Sequence, residues 1–161
     1  MQQFNIVYIS VFAFASIWTI FKLFKVNPNI IIETKFIKAS TILFILAAVF
    51  SILTLFVNSG MMDYIRTFVM VIAIIIYLML KEGLGNDGFY VNGHFTPYKD
   101  VIYYDYFEEK KKFNVVFKLK DTKGEDQFNA NLDFNLKDKE KVIKTLNKKM
   151  PKKQKRIKKQ A

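Results

Sequence analysis

The sequence contains no cysteine, a single histidine, three prolines and six glycines in 161 residues. Without cysteine the chain can form neither a disulfide nor a thiolate-based catalytic or metal site. The one histidine, His94, has no neighbour of the kind that a metal site or a catalytic base needs. All five serines precede residue 60, so the second half of the chain has no serine nucleophile to pair with it. We therefore expect no enzyme activity, no bound cofactor and no metal.

Carboxylates and tyrosines are the remaining groups with catalytic chemistry. Asp105 interrupts a tyrosine-rich run, and Asp133 lies on the polar side of an alternating run. Their spacing does not indicate a paired-carboxylate site. An enzyme that uses Asp105, Asp133 and Tyr104 is the catalytic alternative.

Charge is scarce in the first half of the chain. Of the 25 Lys and Arg residues, 19 lie from residue 82 onward, whereas apolar runs lie at about 4–24, 39–57 and 62–80. A transmembrane helix needs about 20 apolar residues to cross roughly 30 Å of hydrocarbon. No basic segment precedes the first run and no Ala-x-Ala motif follows it, so we interpret it as a retained helix rather than a cleaved signal peptide. The sequence predicts three transmembrane helices.

The first loop between these runs is rich in lysine, whereas around the second loop Arg66 is the only basic residue. Because Lys and Arg accumulate on the cytoplasmic side, we expect an outside N-terminus and a cytoplasmic chain from residue 81 onward. The abundance of Lys, Ile, Asn and Phe is typical of AT-rich bacterial genomes. We therefore expect the membrane that these helices cross to be the bacterial inner membrane. Residues 30–38 fit either an interfacial helix or the start of the second span. The loop lysines are Lys22, Lys25, Lys35 and Lys38.

An acidic and a basic residue occupy the first turn of the third run. Asp63 and Arg66 are three residues apart and are therefore neighbours on a helix surface. An ionisable pair within a membrane span indicates a functional site by default. Since this pair lies at the end of the span, a capping and snorkelling role is favoured.

Three glycines follow the third run, at positions 83, 85 and 88. Glycine tolerates the left-handed dihedral angles of a sharp bend, so we interpret this stretch as a flexible exit from the membrane. It lacks the terminal Gly-Lys-Ser/Thr of a phosphate-binding loop.

From residue 82 the apolar pattern changes to the alternation typical of half-buried strands. Asn92-Gly93 lies between two aromatic-rich runs and predicts a type I′ hairpin turn. Pro97 has no amide hydrogen, so it should end its strand or lie on an edge. The predicted strands are 89–91, 94–96, 101–107, 113–120 and 128–134.

A C-terminal helix is predicted to cover one face of this sheet. The fourth strand has four apolar side chains on one face, and an apolar stripe at helical spacing follows the fifth strand. Such a stripe is more often core than a partner groove. The strand residues are Phe113, Val115, Phe117 and Leu119, and the stripe is Val142, Ile143, Leu146 and Met150.

The run from Gly88 to Val101, GFYVNGHFTPYKDV, resembles the small bacterial pleckstrin-homology-like domains attached to short membrane proteins. The resemblance covers residues 83–150 and implies a binding or scaffolding module without a catalytic residue. Two features depart from the family: Tyr98 replaces a tryptophan, and five predicted strands fall short of the seven in a full pleckstrin-homology sandwich. The matching residues are Gly88, Phe89, Tyr90, Asn92, Gly93, Phe95, Pro97, Lys99, Asp100 and Val101.

Tyrosine is unusually frequent in and around the third predicted strand. Large rings occur on both faces of that strand, so one face carries aromatic surface beyond what a one-sided core requires. Two readings stay open: a second layer of packing, or a binding surface, since amphipathic aromatic rings favour interfaces. The candidate surface residues are Tyr90, Tyr98, Tyr103, Tyr104 and Tyr106.

The excess positive charge lies in the C-terminal tail. Residues 82–147 contain 11 basic and 12 acidic residues, whereas eight of the twelve residues 148–159 are basic and none is acidic. Pro151 should end the helix, and the self-repelling run beyond it is predicted to be disordered. Anionic lipid at the cytoplasmic leaflet is favoured over nucleic acid as its partner, and a solvated tail without a partner stays open. The candidate lipid contacts are Lys148, Lys149, Lys152, Lys153, Lys155, Arg156, Lys158 and Lys159.

These patterns predict an α+β protein: three transmembrane α-helices, then a small antiparallel β-sheet of about five strands with a C-terminal helix. The expected domains are a membrane domain at 1–81, a cytoplasmic pleckstrin-homology-like module at 82–150 and a basic tail at 151–161. We expect the module to bind a protein partner, a second copy of the chain or lipid headgroups without catalysis. The alternative is a membrane-embedded accessory, transport-associated or immunity-type protein whose helices carry the function.

Overall fold

The structure, a computed structural model, describes residues 2–35, 38–57, 60–109, 112–120, 127–151 and 153–155. The chain forms two compact units, each described here by itself. The helical unit consists of Met1–Lys25 and Phe36–Leu80, and the sheet unit consists of Val26–Lys35 and Lys81–Ala161.

The helical unit contains α1 (Gln2–Val26), α2 (Ala39–Leu53) and α3 (Met61–Leu78). Within the described residues, two stretches are long and apolar enough to cross a membrane, Asn5–Asn29 and α3. The 15 residues of α2 extend over only about 22 Å at 1.5 Å per residue. The prediction of three spans is therefore corrected to two candidates by length, because the helical part of the second apolar run is short.

Aromatic side chains join the helices of this unit. The Tyr8 hydroxyl on α1 donates to Sδ of Met70 on α3 at 3.0 Å, and the rings of Phe44 on α2 and Tyr77 on α3 lie 4.8 Å apart. Most large apolar side chains of the three helices are nevertheless exposed, including Phe50 at 70%. A helix that is apolar all round suits a lipid environment.

In the described residues, the sheet unit has seven strands in two antiparallel sheets and a C-terminal helix. The four-stranded sheet has the order β1-β2-β3-β4, and the three-stranded sheet has the order β5-β6-β7. The predicted single sheet of about five strands is therefore wrong in the number of strands and in the number of sheets. The elements are β1 (Ile30–Glu33), β2 (Gly83–Gly85), β3 (Gly88–Val91), β4 (His94–Pro97), β5 (Val101–Glu109), β6 (Lys112–Lys120), β7 (Gln127–Asn135) and α4 (Lys139–Lys149).

The two unpredicted strands, β1 and β2, pair with each other although a pair of helices separates them in sequence. Ile32 pairs with Leu84, and both side chains belong to the hydrophobic core. A Cβ atom at Gly83, whose φ is +153°, would lie 2.1 Å from the Ile32 carbonyl oxygen. Glycine is therefore required for this approach. The predicted flexible exit is in fact strand β2, and residues 30–33 are neither an interfacial helix nor the start of α2.

The Asn92-Gly93 hairpin is confirmed. Both turn residues have positive φ, +50° and +71°, as a type I′ turn requires. Pro97 ends β4, which lies at an edge of its sheet, as predicted from its missing amide hydrogen.

The core lies between the two sheets and under α4. Phe89 of β3 stacks on Phe117 of β6 with ring centroids 4.2 Å apart, and both are fully buried. The apolar face predicted for the fourth strand is confirmed, because its four side chains are all buried in this core. The predicted helical stripe is also core: Val142, Leu146 and Met150 are buried, and Ile143 is partly buried against them.

Candidate functional site

Two of the five candidate tyrosines are core residues. Tyr98 and Tyr104 are buried; the Tyr98 hydroxyl donates to the Gly85 carbonyl at 2.9 Å, and the Tyr104 hydroxyl donates to Asn147 Oδ1 at 3.0 Å. Burial raises the pKa of both hydroxyls, so they remain neutral donors. Neither Tyr98 nor Tyr104 offers a surface to a partner.

The other three tyrosines are half-buried and do not form one surface. Tyr106 packs against Phe113 with ring centroids 5.4 Å apart and adjoins the core. Tyr103 lies beneath the Lys155 ammonium, which is 5.6 Å from the ring centroid. Tyr90 belongs to the other sheet. The structure therefore separates the predicted aromatic surface into a buried set and two partly exposed sites.

Tyr90 and Phe95 form an aromatic pair on the outer face of the four-stranded sheet. They are directly opposite each other across the hairpin, and their ring centroids are 5.0 Å apart. Cβ atoms at Gly85 and Gly88 would lie 3.2 Å and 2.6 Å from these two rings. The glycines thus let the rings lie on the sheet, and Phe95 remains 49% exposed. Sequence reasoning missed Phe95 as a surface residue, although its position opposite Tyr90 follows from the Asn-Gly turn.

Part of the basic tail has a defined position beside β5. The Tyr104 amide donates to the Lys153 carbonyl at 2.9 Å, and the Lys155 amide donates to the Tyr104 carbonyl at 3.0 Å. Gln154 thereby forms a parallel bridge with Tyr104. Residues 153–155, called the tail strand below, were predicted to be disordered and are instead paired, because β5 is an edge strand and the Tyr104 amide and carbonyl are available on its outer side.

The candidate lipid contacts fall into three groups. Lys148 and Lys149 end α4 and are exposed. The Lys153 ammonium donates to the carbonyls of Tyr98 at 2.9 Å and Lys99 at 3.0 Å, and Lys155 lies over Tyr103. The remaining four, Lys152, Arg156, Lys158 and Lys159, lie outside the described residues.

A polar cluster joins α1 and α3 in the helical unit. Arg66 Nη2 lies 3.3 Å from Asp63 Oδ1, and Arg66 Nη1 donates to Asn5 Oδ1 at 3.2 Å. The predicted proximity of Asp63 and Arg66 is confirmed, and Asn5 is an additional partner that the sequence did not indicate. One turn from Asp63, the Thr67 hydroxyl is buried and has no hydrogen-bond partner within the described part of the chain.

The residues of the catalytic alternative make structural contacts. Asp105 Oδ1 accepts the amide of Tyr106 at 2.8 Å, Asp133 Oδ2 lies 3.1 Å from Lys112 Nζ, and Tyr104 is buried. His94 is exposed at the hairpin. Across the ranges that the structure describes, no group of three His, Cys, Asp or Glu residues could hold a metal ion.

Residues 80–151 match a domain of unknown function, DUF5673. The matched range contains β2 to β7 and α4 and covers less than half of the chain, and it leaves out β1. No curated protein and no solved structure is significantly similar to the chain. The chain thus contains a domain of unknown function to which the first interhelical loop adds a strand.

Proposed function

We propose that the chain is a non-catalytic protein of the bacterial inner membrane whose sheet unit is a pleckstrin-homology-like module that docks on anionic lipid at the cytoplasmic leaflet. The pairing of β1 with β2 is the observation that carries this proposal. It builds the module from the first interhelical loop and the chain after α3, rather than from the chain after α3 alone.

The β1–β2 pairing supports a third membrane crossing beside the two candidates that length and composition identify. Residues 26–35 and the chain from residue 81 belong to one unit, so residues 36–80 must leave and return on the same side. If α3 crosses, the segment before it crosses as well. That segment, α2 and the 3-10 turn Thr54–Phe56, extends over about 28 Å, which is close to the thickness of a bilayer core.

The lysines near β1 support a cytoplasmic sheet unit. Two precede β1 and two follow it, and the loop that carries most Lys and Arg is retained in the cytoplasm. The sequence places these four at Lys22, Lys25, Lys35 and Lys38.

The count and layering of the strands support the pleckstrin-homology-like assignment. Seven strands in sheets of four and three, followed by a helix, remove the shortfall of two strands that separated the sequence prediction from a full pleckstrin-homology sandwich.

Anionic lipid is the ligand that the charge distribution favours. Exposed Lys148 and Lys149 open a run in which eight of twelve residues are basic. Each lysine near an anionic surface contributes about 1 kcal/mol, and the membrane anchor keeps that surface within reach.

Fluorescence quenching tests lipid docking in the full chain, reconstituted in nanodiscs of phosphatidylcholine with or without phosphatidylserine. The chain has no cysteine, so a Lys144→Cys substitution on the exposed face of α4 takes a single fluorophore. We expect headgroup nitroxides to quench it several-fold more strongly with phosphatidylserine, and salt to reverse the difference. The Lys148→Gln/Lys149→Gln variant should lose most of the response, whereas Lys137→Gln/Lys141→Gln, with the same charge change, should keep more of it. A degree of quenching that changes neither with phosphatidylserine nor with salt would contradict the proposal.

The Asn5–Arg66–Asp63 cluster supports the alternative, a protein whose helices carry the function, since polar groups between membrane helices are costly unless used. Arg66→Gln and Phe89→Ala distinguish the two proposals in any assay of the protein in cells. Loss of function in Arg66→Gln alone would favour the helices.

A further inference from the structure

We propose that the tail strand is a latch that closes the edge of β5 and that an anionic membrane surface releases it. This inference rests on the proposed lipid docking and adds its regulation: lipid binding opens a strand edge on the sheet unit.

The latch is built from few contacts. Two backbone hydrogen bonds hold the tail strand to Tyr104, and the Lys153 ammonium adds two donations, to the carbonyls of Tyr98 and Lys99. Both carbonyls belong to the 3-10 turn that leads into β5. The 3-10 turn therefore binds the Lys153 ammonium, and the edge of β5 binds the backbone of the tail strand.

The pairing between the tail strand and β5 is short. In a parallel ladder the next outward amide of β5 after Tyr104 is that of Tyr106, and Asp105 Oδ1 already accepts it at 2.8 Å. Within residues 153–155 the tail strand therefore makes a single bridge, at Gln154. A strand pair this short has little cooperative stability, so it opens readily.

The groups that hold the tail ammoniums are uncharged. Lys153 contacts carbonyl oxygens and Lys155 contacts a tyrosine ring, and in the described part of the chain neither forms an ion pair. An anionic bilayer offers these ammoniums full negative charges instead. The Lys153 ammonium has three N–H donors and gives two of them to the carbonyls, so in the closed latch only one is left for a lipid phosphate. Full coordination by lipid therefore requires release, and lipid binding and latch closure compete.

Salt should act on the two states differently. Attraction to a charged surface weakens as salt rises, whereas the latch depends on hydrogen bonds to neutral acceptors. Raised salt should therefore close a latch that anionic lipid has opened.

Release would leave the Tyr104 amide and carbonyl without their strand partner. An unpaired strand edge accepts an extended peptide by β-augmentation. The edge of β5 would then be available to a partner protein only when the tail is on the membrane.

Spin-label distances test the latch in the full chain. Because the chain has no cysteine, Glu140→Cys and Gln154→Cys, both exposed, place one label on α4 and one on the tail strand. In phosphatidylcholine nanodiscs we expect one narrow distance distribution. With phosphatidylserine we expect a broad, longer component that disappears at high salt. A distribution that stays narrow in both lipids would overturn the latch.

Two variants and a second measurement separate the outcomes. Lys153→Gln should open the latch in neutral lipid, whereas Lys149→Gln, which removes the same charge outside the latch, should leave it closed; a closed latch in Lys153→Gln would overturn the proposal.

Amide exchange at Tyr104 should accelerate at least tenfold with phosphatidylserine, while the buried Phe117 amide stays protected. If quenching at residue 144 reports docking but Tyr104 exchange is unchanged, the latch is wrong and lipid docking stands. If neither responds to phosphatidylserine, both proposals fail.

Discussion

The helical unit and the sheet unit treat apolar side chains in opposite ways. In the sheet unit four phenylalanines lie in the core, and Phe89, Phe113, Phe117 and Phe134 have no exposed surface. In the helical unit Phe14, Phe21, Phe50 and Phe68 are all more than two thirds exposed. The same residue type is thus buried in one unit and exposed in the other. Burial from water stabilises the phenylalanines of the sheet unit, whereas the exposed rings of the helical unit are the arrangement that suits helices in lipid.

This contrast gives each substitution in the sheet unit a matched partner in the helical unit. Trp18, the only tryptophan, lies in α1 and reports on the helical unit by fluorescence, while amide exchange in β6 reports on the sheet unit.

Phe89→Ala should have the largest effect. It removes a fully buried ring that stacks on Phe117 across the two sheets, and truncations of this kind lower the free energy of unfolding by about 3–5 kcal/mol. A denaturant titration monitored through amide exchange in β6 should show that the sheet unit is largely unfolded or unfolds at low denaturant concentration. Phe50→Ala, at a side chain 70% exposed on α2, should leave exchange in β6 unchanged. Equal effects would remove the distinction between the units.

Gly88→Ala should have an intermediate effect. The new Cβ would lie 2.2 Å from the Thr96 carbonyl oxygen and 2.6 Å from the Phe95 ring, so β3 and β4 must separate. Overpacking of this kind costs about 1–3 kcal/mol, which should appear as a lower denaturation midpoint and faster exchange in the hairpin. Gly60→Ala meets only the end of the flexible Asp63 side chain, at 3.0 Å, and should change Trp18 fluorescence in denaturant much less.

Tyr98→Phe should have the smallest effect at neutral pH and a distinct one in alkali. Loss of the donor removes the hydrogen bond to the Gly85 carbonyl and lowers the free energy of unfolding by about 1 kcal/mol. The pKa of Tyr98 is raised in the folded chain, so the unfolded chain loses its proton first, at a pKa of about 10. Stability of the sheet unit is therefore constant below that pH and falls above it.

The Tyr98→Phe variant should lose stability less steeply than the wild type in this alkaline range, as measured by denaturant titration at increasing pH. Part of the slope should remain, because burial raises the pKa of Tyr104 as well. Tyr8→Phe, which removes a donor to a weak thioether acceptor, is the matched change in the helical unit and should alter its stability less. A wild-type curve that stays flat to high pH would contradict this assignment.

Local patterns predicted the elements that depend on local physics. The Asn92-Gly93 turn and the alternation around Phe117 specify a hairpin and a half-buried strand without knowledge of distant residues. The β1–β2 pairing was missed because IIIE is a plain apolar run and Gly83–Gly85 has the composition of a bend. The tail strand was missed because a basic run predicts self-repulsion, whereas an edge strand supplies backbone partners regardless of side-chain charge.

The β1–β2 pairing also imposes an order on biosynthesis. Glu33 and its partner Gly83 are 50 positions apart, so β1 leaves the ribosome long before β2 exists. Both helices α2 and α3 must be translated, and inserted if they are membrane helices, while Ile32 still lacks its core neighbours. Pairing across such a separation is slow because closing the long intervening loop costs entropy before the strand contacts form. Completion of the first sheet therefore requires that both helices have been translated, and a chain that stalls earlier carries an unpaired apolar strand.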